Sequence, residues 1–259
     1  MKDLRGAVVL VATPEYAFAG CDGAWRCSFI VCRSRDPRRS LEAFRGAVAA
    51  VNGWDSDSGM NLFRATIAPF ARHAPFFAAL TVTGSHLASL EAVADGRVEL
   101  AAIDCVTFGQ MKRLYPGIVE RVAIVAKSPS SPGLPFIAAA GLPDWTVDAV
   151  RNALFAAPAD PGLAEPLGAL SLLGARRTTP ADYERVLEIE REAGGGRLLA
   201  ASLAVIIACR FVESSASSPE PSARSRRGAL RCSQSGADRH SRLRNAAEIA
   251  RPRLVTAVR

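Results

Sequence analysis

The chain has 259 residues, of which 49% are hydrophobic and 7% aromatic, with 32 Lys and Arg against 25 Asp and Glu. This composition excludes a wholly disordered chain, and the longest apolar run, 198–209, is too short for the roughly 20 residues that span a bilayer. Residues 194–259 hold 12 Arg, no Lys and 4 acidic residues, which gives this segment a net charge of +8. The net charge of the whole chain is +7. The first 193 residues are therefore nearly neutral, and neither a nucleic-acid partner nor membrane insertion is predicted.

The six cysteines predict neither a metal site nor a disulfide framework. No two of them have CxxC spacing, and no His lies at ligand spacing from a Cys. Free thiols are typical of a reducing compartment. The apolar run at the N-terminus is short, β-branched and followed by Pro14 and Glu15, which favours a buried strand over a signal peptide. As written, the sequence predicts a protein without metal or cofactor, and a cytoplasmic one unless the true N-terminus is missing.

Short apolar runs alternate with helical patterns over the first 193 residues, which is typical of an α/β domain. The predicted strands cover 7–12, 28–32, 47–51, 77–82, 100–103, 122–126 and 135–139. The predicted helices cover 40–44, 59–70, 85–94, 106–114, 146–157 and 181–192. Three of the helix starts are marked by Ser40, Thr146 and Thr179 followed by Pro180.

The composition changes after residue 193. Three glycines, 194–196, break the last helix, and Ser/Arg/Pro-rich sequence then extends to residue 259. This stretch has little to bury, so we predict that 194–259 is mostly disordered. An Arg-rich tail suits a nucleic-acid arm, but no aromatic residue follows Phe211 to stack on bases. An unselected extension, such as a frame-shifted end, is the alternative.

Two segments share one arrangement, a buried strand followed by a hydroxyl-rich turn and a helix. The first, AVAAVNGWDSDSGMNLF, has Ser56, Ser58 and Gly59 in its turn, and the second, TVTGSHLASLEAVADG, has Ser85 and His86. Such a helix start offers backbone N–H groups and the positive end of the helix dipole to an anion. Ordinary N-capping is the alternative for each turn alone. Because parallel strands end at one sheet edge, we expect both turns at a common cleft.

A third segment, GRVELAAIDCVTF, places Asp104 at the carboxyl end of an apolar strand, where open α/β sheets bind ligands. Capping of the following helix is the alternative for Asp104. Tyr16 follows a strand and either lines the cleft or packs in the interior. Cys105 could act as a thiol nucleophile only if His86 faced it and served as its base. Nothing in the sequence places the two side chains face to face, so no enzyme is predicted.

Together these segments resemble the substrate-binding proteins of phosphate and phosphonate ABC transporters. The Ser-rich turn of that family, D-S-x-S-G, matches residues 55–59, and its G-S-H-x-x-S motif matches 84–89. Its A-A-I-D strand end matches 101–104, and its aromatic crossover is similar to 24–28, which contains Trp25. The resemblance covers residues 4–193.

The resemblance implies a type II periplasmic-binding-protein fold, in which two α/β lobes close on an oxyanion. It assigns 1–30 and 105–193 to an incomplete lobe one with the hinge crossovers, 31–104 to lobe two, and 194–259 to the tail. It implies non-catalytic binding of phosphate, phosphonate or a similar small oxyanion by a periplasmic monomer with an ABC permease as partner. The implied ligand-binding residues are Ser56, Ser58, Gly59, Ser85, His86, Asp104, Tyr16 and Trp25.

The chain departs from the pattern of that family at both ends. Relatives begin with further strand–helix units and end soon after the last helix. A truncated or degraded product without intact binding is therefore one alternative, and a cytosolic sensor or enzyme on the same fold is another. Asp57 is a further departure, because a negative side chain inside an anion-binding turn must point outward or weaken the site.

Overall fold

The computed structural model describes residue 4 and residues 6–71 and 74–195. The tail predicted to be disordered lies outside the described residues, apart from Gly194 and Gly195. Within the described part of the chain, none of the helices has the length and apolarity of a membrane span. All seven predicted strands and all six predicted helical segments are present, with shifted ends.

The strands are β1 (Val8–Tyr16), β2 (Cys21–Asp22), β3 (Trp25–Arg26), β4 (Ser28–Arg33), β5 (Val48–Val51), β6 (Ala79–Val82), β7 (Leu100–Asp104), β8 (Val122–Lys127), β9 (Ser131–Pro132), β10 (Phe136–Ala139) and β11 (Leu172–Arg176). The α-helices are α1 (Leu62–Ile67), α2 (His86–Ala94), α3 (Cys105–Leu114), α4 (Pro116–Val119), α5 (Asp144–Ala156), α6 (Ala164–Leu170) and α7 (Pro180–Glu192). The predicted helix at 40–44 is a 3-10 turn (Leu41–Phe44), and the one at 59–70 starts as a π-helical turn (Asp57–Asn61).

A five-stranded sheet with the order β6-β5-β7-β4-β8 carries the three segments singled out in the sequence. β5 is parallel to β6 and β7, whereas β4 is antiparallel to β7 and β8. The carboxyl ends of β5, β6 and β7 therefore share one edge, and β4 begins there because Ser28 pairs with Asp104. This sheet runs from residue 28 to 127, and the lobe boundaries at 31 and 104 stay a prediction.

Both faces of this sheet are buried, because successive side chains of each strand point to opposite sides. On β4, Phe29 packs on one face together with Leu90 of α2, and Ile30 packs on the other together with Phe63 of α1. Burying one such side chain stabilises the fold by about 1.5–3 kcal/mol. Packing on both faces fixes the edge at which the candidate turns lie.

A second sheet, with the order β10-β1-β11, holds the strand that ends at Tyr16. β1 pairs antiparallel first with β10 and then with β11. Arg151 of α5 is buried against β1 and donates from Nε to the Val11 carbonyl at 2.7 Å and from Nη2 to the Leu10 carbonyl at 3.1 Å. These bonds satisfy the buried guanidinium and hold α5 on the strand.

The helix α7 is attached to β1 by a buried tyrosine. Tyr183 Oη lies 2.7 Å from Thr13 Oγ1 and donates to the Gly133 carbonyl at 3.0 Å. We expect Tyr183→Phe to lower the free energy of unfolding by about 1–3 kcal/mol, because the buried Gly133 carbonyl loses its donor. Urea denaturation measures this change, with Tyr115→Phe as the control, since Tyr115 is 45% exposed. Equal losses in the two variants would contradict this role for Tyr183.

Candidate functional site

The first hydroxyl-rich turn follows β5 and is closed by its own side chains. Ser56 is the N-cap residue, and its Oγ accepts from the Gly59 amide at 2.9 Å. The Asp57 carboxylate accepts from Asn61 Nδ2 at 3.0 Å through one oxygen and from Ser131 Oγ at 2.9 Å through the other. Asp57 thus joins the turn to β9.

The second turn follows β6 and begins α2. Ser85 is the N-cap, and its Oγ accepts from the Ala88 amide at 3.1 Å. Capping therefore occurs at both turns, as the alternative interpretation held. A hydroxyl that accepts in a cap keeps its own O–H as a donor, so capping leaves Ser56 and Ser85 each with one donor.

The two turns meet, although about 30 residues separate them in the sequence. Ser58 Oγ and His86 Nε2 lie 2.9 Å apart, and the Gly84 amide donates to the Asn52 carbonyl at 3.1 Å. The parallel pairing of β5 with β6 produces this juxtaposition. The two turns therefore lie at one sheet edge, as expected, but their residues do not line either cleft described below.

Gly59 has no room for a side chain at this junction. A Cβ there would lie 1.7 Å from Asn52 Oδ1 and 3.2 Å from His86 Cε1. We expect Gly59→Ala to displace Asn52 and to lower the free energy of unfolding by about 1–3 kcal/mol. The control is Gly168→Ala in α6, where nothing lies within 4 Å of an added Cβ. Urea denaturation of the two variants should differ, and matching midpoints would show that the junction is loosely packed.

Asp104 ends β7 and makes two kinds of contact within the chain. Its Oδ1 accepts from the Thr107 amide at 2.9 Å and so caps α3. Its Oδ2 forms an ion pair with Arg26 Nη1 at 2.8 Å, and the two side chains are only 5% and 11% exposed. The pairing of Ser28 with Asp104 across the sheet brings Arg26 to this position. Asp104 is therefore the helix cap and also the charge partner of Arg26.

Tyr16, Trp25 and Asp104 line one cleft with a volume of about 190 Å³. The cleft is also lined by Pro14, Cys21, Gly23, Ala24, Arg26, Val106, Thr107, Gly133 and Leu134. Burial raises the pKa of Tyr16 above its usual value, against the opposing effect of Arg26, so its phenol stays a neutral donor. Three of the eight predicted site residues thus come together at this cleft.

The other five predicted residues, Ser56, Ser58, Gly59, Ser85 and His86, are not part of the cleft lining. His86 is nevertheless close enough to the ion pair for its charges to act on the ring. Burial lowers the pKa of His86 below its ordinary value, while Asp104 acts to raise it and Arg26 to lower it further. The imidazole is therefore neutral at pH 7. In the two turns Ser58 and Gly59 are buried, whereas Ser56 and His86 are half-buried and Ser85 is exposed.

Sequence reasoning missed Arg26. It lies in the quoted crossover next to Trp25, but only the register of β4 against β7 shows that it meets Asp104. A second cleft of about 210 Å³ is lined by Arg33, Arg35, Asp36, Gly96, Val98 and Glu99, and it was also not anticipated. Its lining contains two arginines and two carboxylates, and the arginines make it the alternative site for an anion.

Within the described residues, no group of three or more His, Cys, Asp or Glu side chains has the arrangement of a metal site. The guanidinium of Arg26, the neutral phenol of Tyr16 and the indole of Trp25 line the cleft and can hold a small anion by hydrogen bonds. The described part of the chain thus combines a mixed α/β fold with a cleft that suits a small anion.

Comparison with known proteins identifies the family. The family model for the periplasmic phosphonate substrate-binding protein of ABC transporters matches residues 1–183, so the chain belongs to this family. Its members bind a substrate in the periplasm for an ABC transporter. No curated protein sequence matches the chain.

Solved structures show the same fold. A binding-protein component of an ABC phosphonate transporter from Pseudomonas aeruginosa, PA3383, has a TM-score of 0.64 at 18% identity, over 78% of this chain and 68% of that one. PhnD1 of Prochlorococcus marinus, in complex with methylphosphonate, has a TM-score of 0.59 at 12% identity, over 73% and 72%. XAC2383 of Xanthomonas citri, bound to chloride, has a TM-score of 0.58 at 19% identity, over 74% and 72%.

Proposed function

We propose that the cleft binds a small phosphonate or phosphate and that the protein delivers it to an ABC permease. The observation that carries this proposal is the buried Arg26 guanidinium in an aromatic-lined cleft, next to two hydroxyl-rich turns. Among the described residues, Arg26 Nε has no hydrogen-bond acceptor although it is buried. The planar fork of an arginine matches the oxygens of a phosphonate, and such charged hydrogen bonds are stronger than neutral ones.

Asp104 acts as a positioning residue for this guanidinium. Oδ1 accepts from the Thr107 amide, whereas Oδ2 forms the ion pair with Arg26 and accepts no hydrogen bond from the described residues. A guanidinium fixed by an ion pair loses less conformational entropy when a ligand binds. The expected contact of Asp104 with a cationic or hydroxyl part of the ligand stays a prediction, for which Oδ2 is the available oxygen.

Ser58 and His86 respond to the charge of the ligand. While the imidazole is neutral, the Ser58 hydroxyl and His86 Nε2 share one hydrogen bond of 2.9 Å. A protonated ring donates from Nε2, so Ser58 then accepts and its own O–H is free to donate elsewhere. A dianion near this pair favours the protonated ring, and binding thereby gains a charge and a donor.

Isothermal titration of the full chain with methylphosphonate and with inorganic phosphate tests the function. Acetate, a small anion with a planar head group, is the control. We expect saturable heat with at least one of the two phosphorus compounds and none with acetate. No heat with either of them, from a sample shown to be folded by circular dichroism, would overturn the proposed function.

Two arginine variants test the cleft itself. Arg26→Lys keeps the positive charge but removes the planar guanidinium that can donate two parallel hydrogen bonds. We therefore expect this variant to bind the ligand roughly tenfold more weakly, or weaker still. Arg33→Lys makes the same change in the second cleft and should leave the affinity unchanged. The reverse outcome would place the ligand in the second cleft.

A further inference from the structure

Three thiols lie together beside the cleft. Cys21 is on β2, Cys27 precedes β4, and Cys105 is the first residue of α3. Cys21 Sγ and Cys105 Sγ are 3.5 Å apart, and all three cysteines are free. A Cβ on Gly20 would lie 2.9 Å from both Cys27 Sγ and Cys105 Cβ, so only glycine lets the backbone pack against this cluster.

The surroundings of Cys105 favour its thiolate. Hydrogen bonds from the Cys21 and Cys27 thiols lower the pKa of Cys105, the positive charge of Arg26 also acts to lower it, and burial acts against both. The sulfur also lies at the N-terminus of a ten-residue helix, where a negative charge is stabilised. The thiolate is the reactive form in disulfide exchange.

Access to the cluster is through Cys21. Cys27 and Cys105 are 4% and 0% exposed, whereas Cys21 is half-buried and lines the cleft. A small reagent in the cleft therefore meets Cys21 first. Cys105 lies directly behind it, and its Sγ is 3.5 Å from Cys21 Sγ, close enough to attack a mixed disulfide formed at Cys21.

We propose that Cys21 and Cys105 form a reversible disulfide with a small organic disulfide that enters through the cleft. The hydrogen bond to Cys105 raises the pKa of Cys21, so Cys21 reacts with Cys105 as its base. As Cys21 Sγ attacks one sulfur of the reagent, its proton passes to the Cys105 thiolate, and the S–S bond of the reagent breaks and releases the first reagent thiolate. Cys105, having passed its proton to that thiolate, then attacks Cys21 Sγ. The mixed disulfide breaks, and the second reagent sulfur leaves as a thiolate that takes a proton from water. Two cysteines are oxidised, and one reagent disulfide is reduced to two thiols.

The bond would connect the two sides of the cleft. Cys21 pairs with Arg26 in the β2–β3 hairpin, and Cys105 follows Asp104 in the chain. Oxidation therefore fixes the hairpin that carries Trp25 and Arg26 to the start of α3. The redox state of the pair therefore determines whether the two sides of the cleft are covalently joined.

The test uses the full chain with Cys209 and Cys232 replaced by Ser, which leaves the four free cysteines Cys21, Cys27, Cys32 and Cys105. After treatment with 2-hydroxyethyl disulfide we expect two titratable thiols in the unfolded protein, a mass lower by about 2 Da, and a cross-linked peptide pair joining Cys21 to Cys105. Dithiothreitol should restore all four thiols. Four thiols after treatment, or a cross-link that joins a different pair, would overturn the proposal.

Matched variants make the assignment specific. Cys32→Ser removes a buried cysteine that is outside the cluster and should leave the cross-link intact. Cys21→Ser should abolish it, and because Cys21 is half-buried this variant keeps the test valid if Cys105→Ser fails to fold. A cross-link that persists in Cys21→Ser would also overturn the proposal. The thiol count needs no phosphonate, so its outcome is independent of the proposed ligand.

Discussion

Replacing Asp104 by Ala is expected to lower the free energy of unfolding by about 3–5 kcal/mol, since it leaves a buried guanidinium without its partner. The Arg26 and Asp104 side chains are 11% and 5% exposed, and their charged atoms are 2.8 Å apart. The same change removes the cap of α3, which by itself costs about 1 kcal/mol. Urea denaturation followed by circular dichroism measures the total.

Asp95→Ala is the matched control for this prediction. Asp95 also forms an ion pair with an arginine, Arg121, at 2.6 Å, but the two side chains are 47% and 51% exposed. Water solvates both charges when such a pair is lost, so we expect a change of less than about 1 kcal/mol. A loss at Asp104 no larger than the loss at Asp95 would show that Arg26 remains solvated without its partner.

Replacing His86 by Ala is expected to weaken phosphonate binding by about 1.5–3 kcal/mol, or roughly 10- to 150-fold. The reason is the loss of a charged donor and of the Ser58 hydroxyl that it releases. Leu87→Ala is the control, because it truncates the next residue of the same helix and so lowers stability without removing a polar group. Isothermal titration gives the affinity, and denaturation gives the stability of each variant.

The pH dependence separates a binding role of His86 from a structural one. Burial holds the pKa of His86 below 6.5 in the free protein, whereas a bound dianion raises it. Affinity should therefore fall as the pH rises from the free pKa to the bound pKa. Stability should change in the opposite direction, because below pH 6.5 the unfolded chain takes up the proton more readily than the folded one. A purely structural His86 would affect stability alone.

The sheet and its turns were predictable because they depend on local patterns. The strand–turn–helix order around Ser58 and His86 is visible in the sequence, and parallel pairing then requires the turns to meet. The strands that were missed show no clear sequence pattern, and the short helices α4 and α6 were missed as well. β2, β3 and β9 are two residues long, and β11 contains Gly174, which weakens a strand signal.

The ion pair at the centre of the site could not be predicted for a different reason. Arg26 and Asp104 are far apart in the chain and meet only because β4 pairs with β7 in one register. The bond between Asp57 and Ser131 likewise depends on where β9 packs. Such contacts follow from the packing of whole elements, which composition and periodicity do not determine.

A crystal structure of the protein with bromomethylphosphonate tests the central claim most directly, since the anomalous signal of bromine locates the ligand. We expect the bromine in the cleft between Tyr16 and Trp25, with the phosphonate oxygens on the Arg26 guanidinium. Bromine in the second cleft, at Arg33 and Arg35, would contradict the assignment of the site.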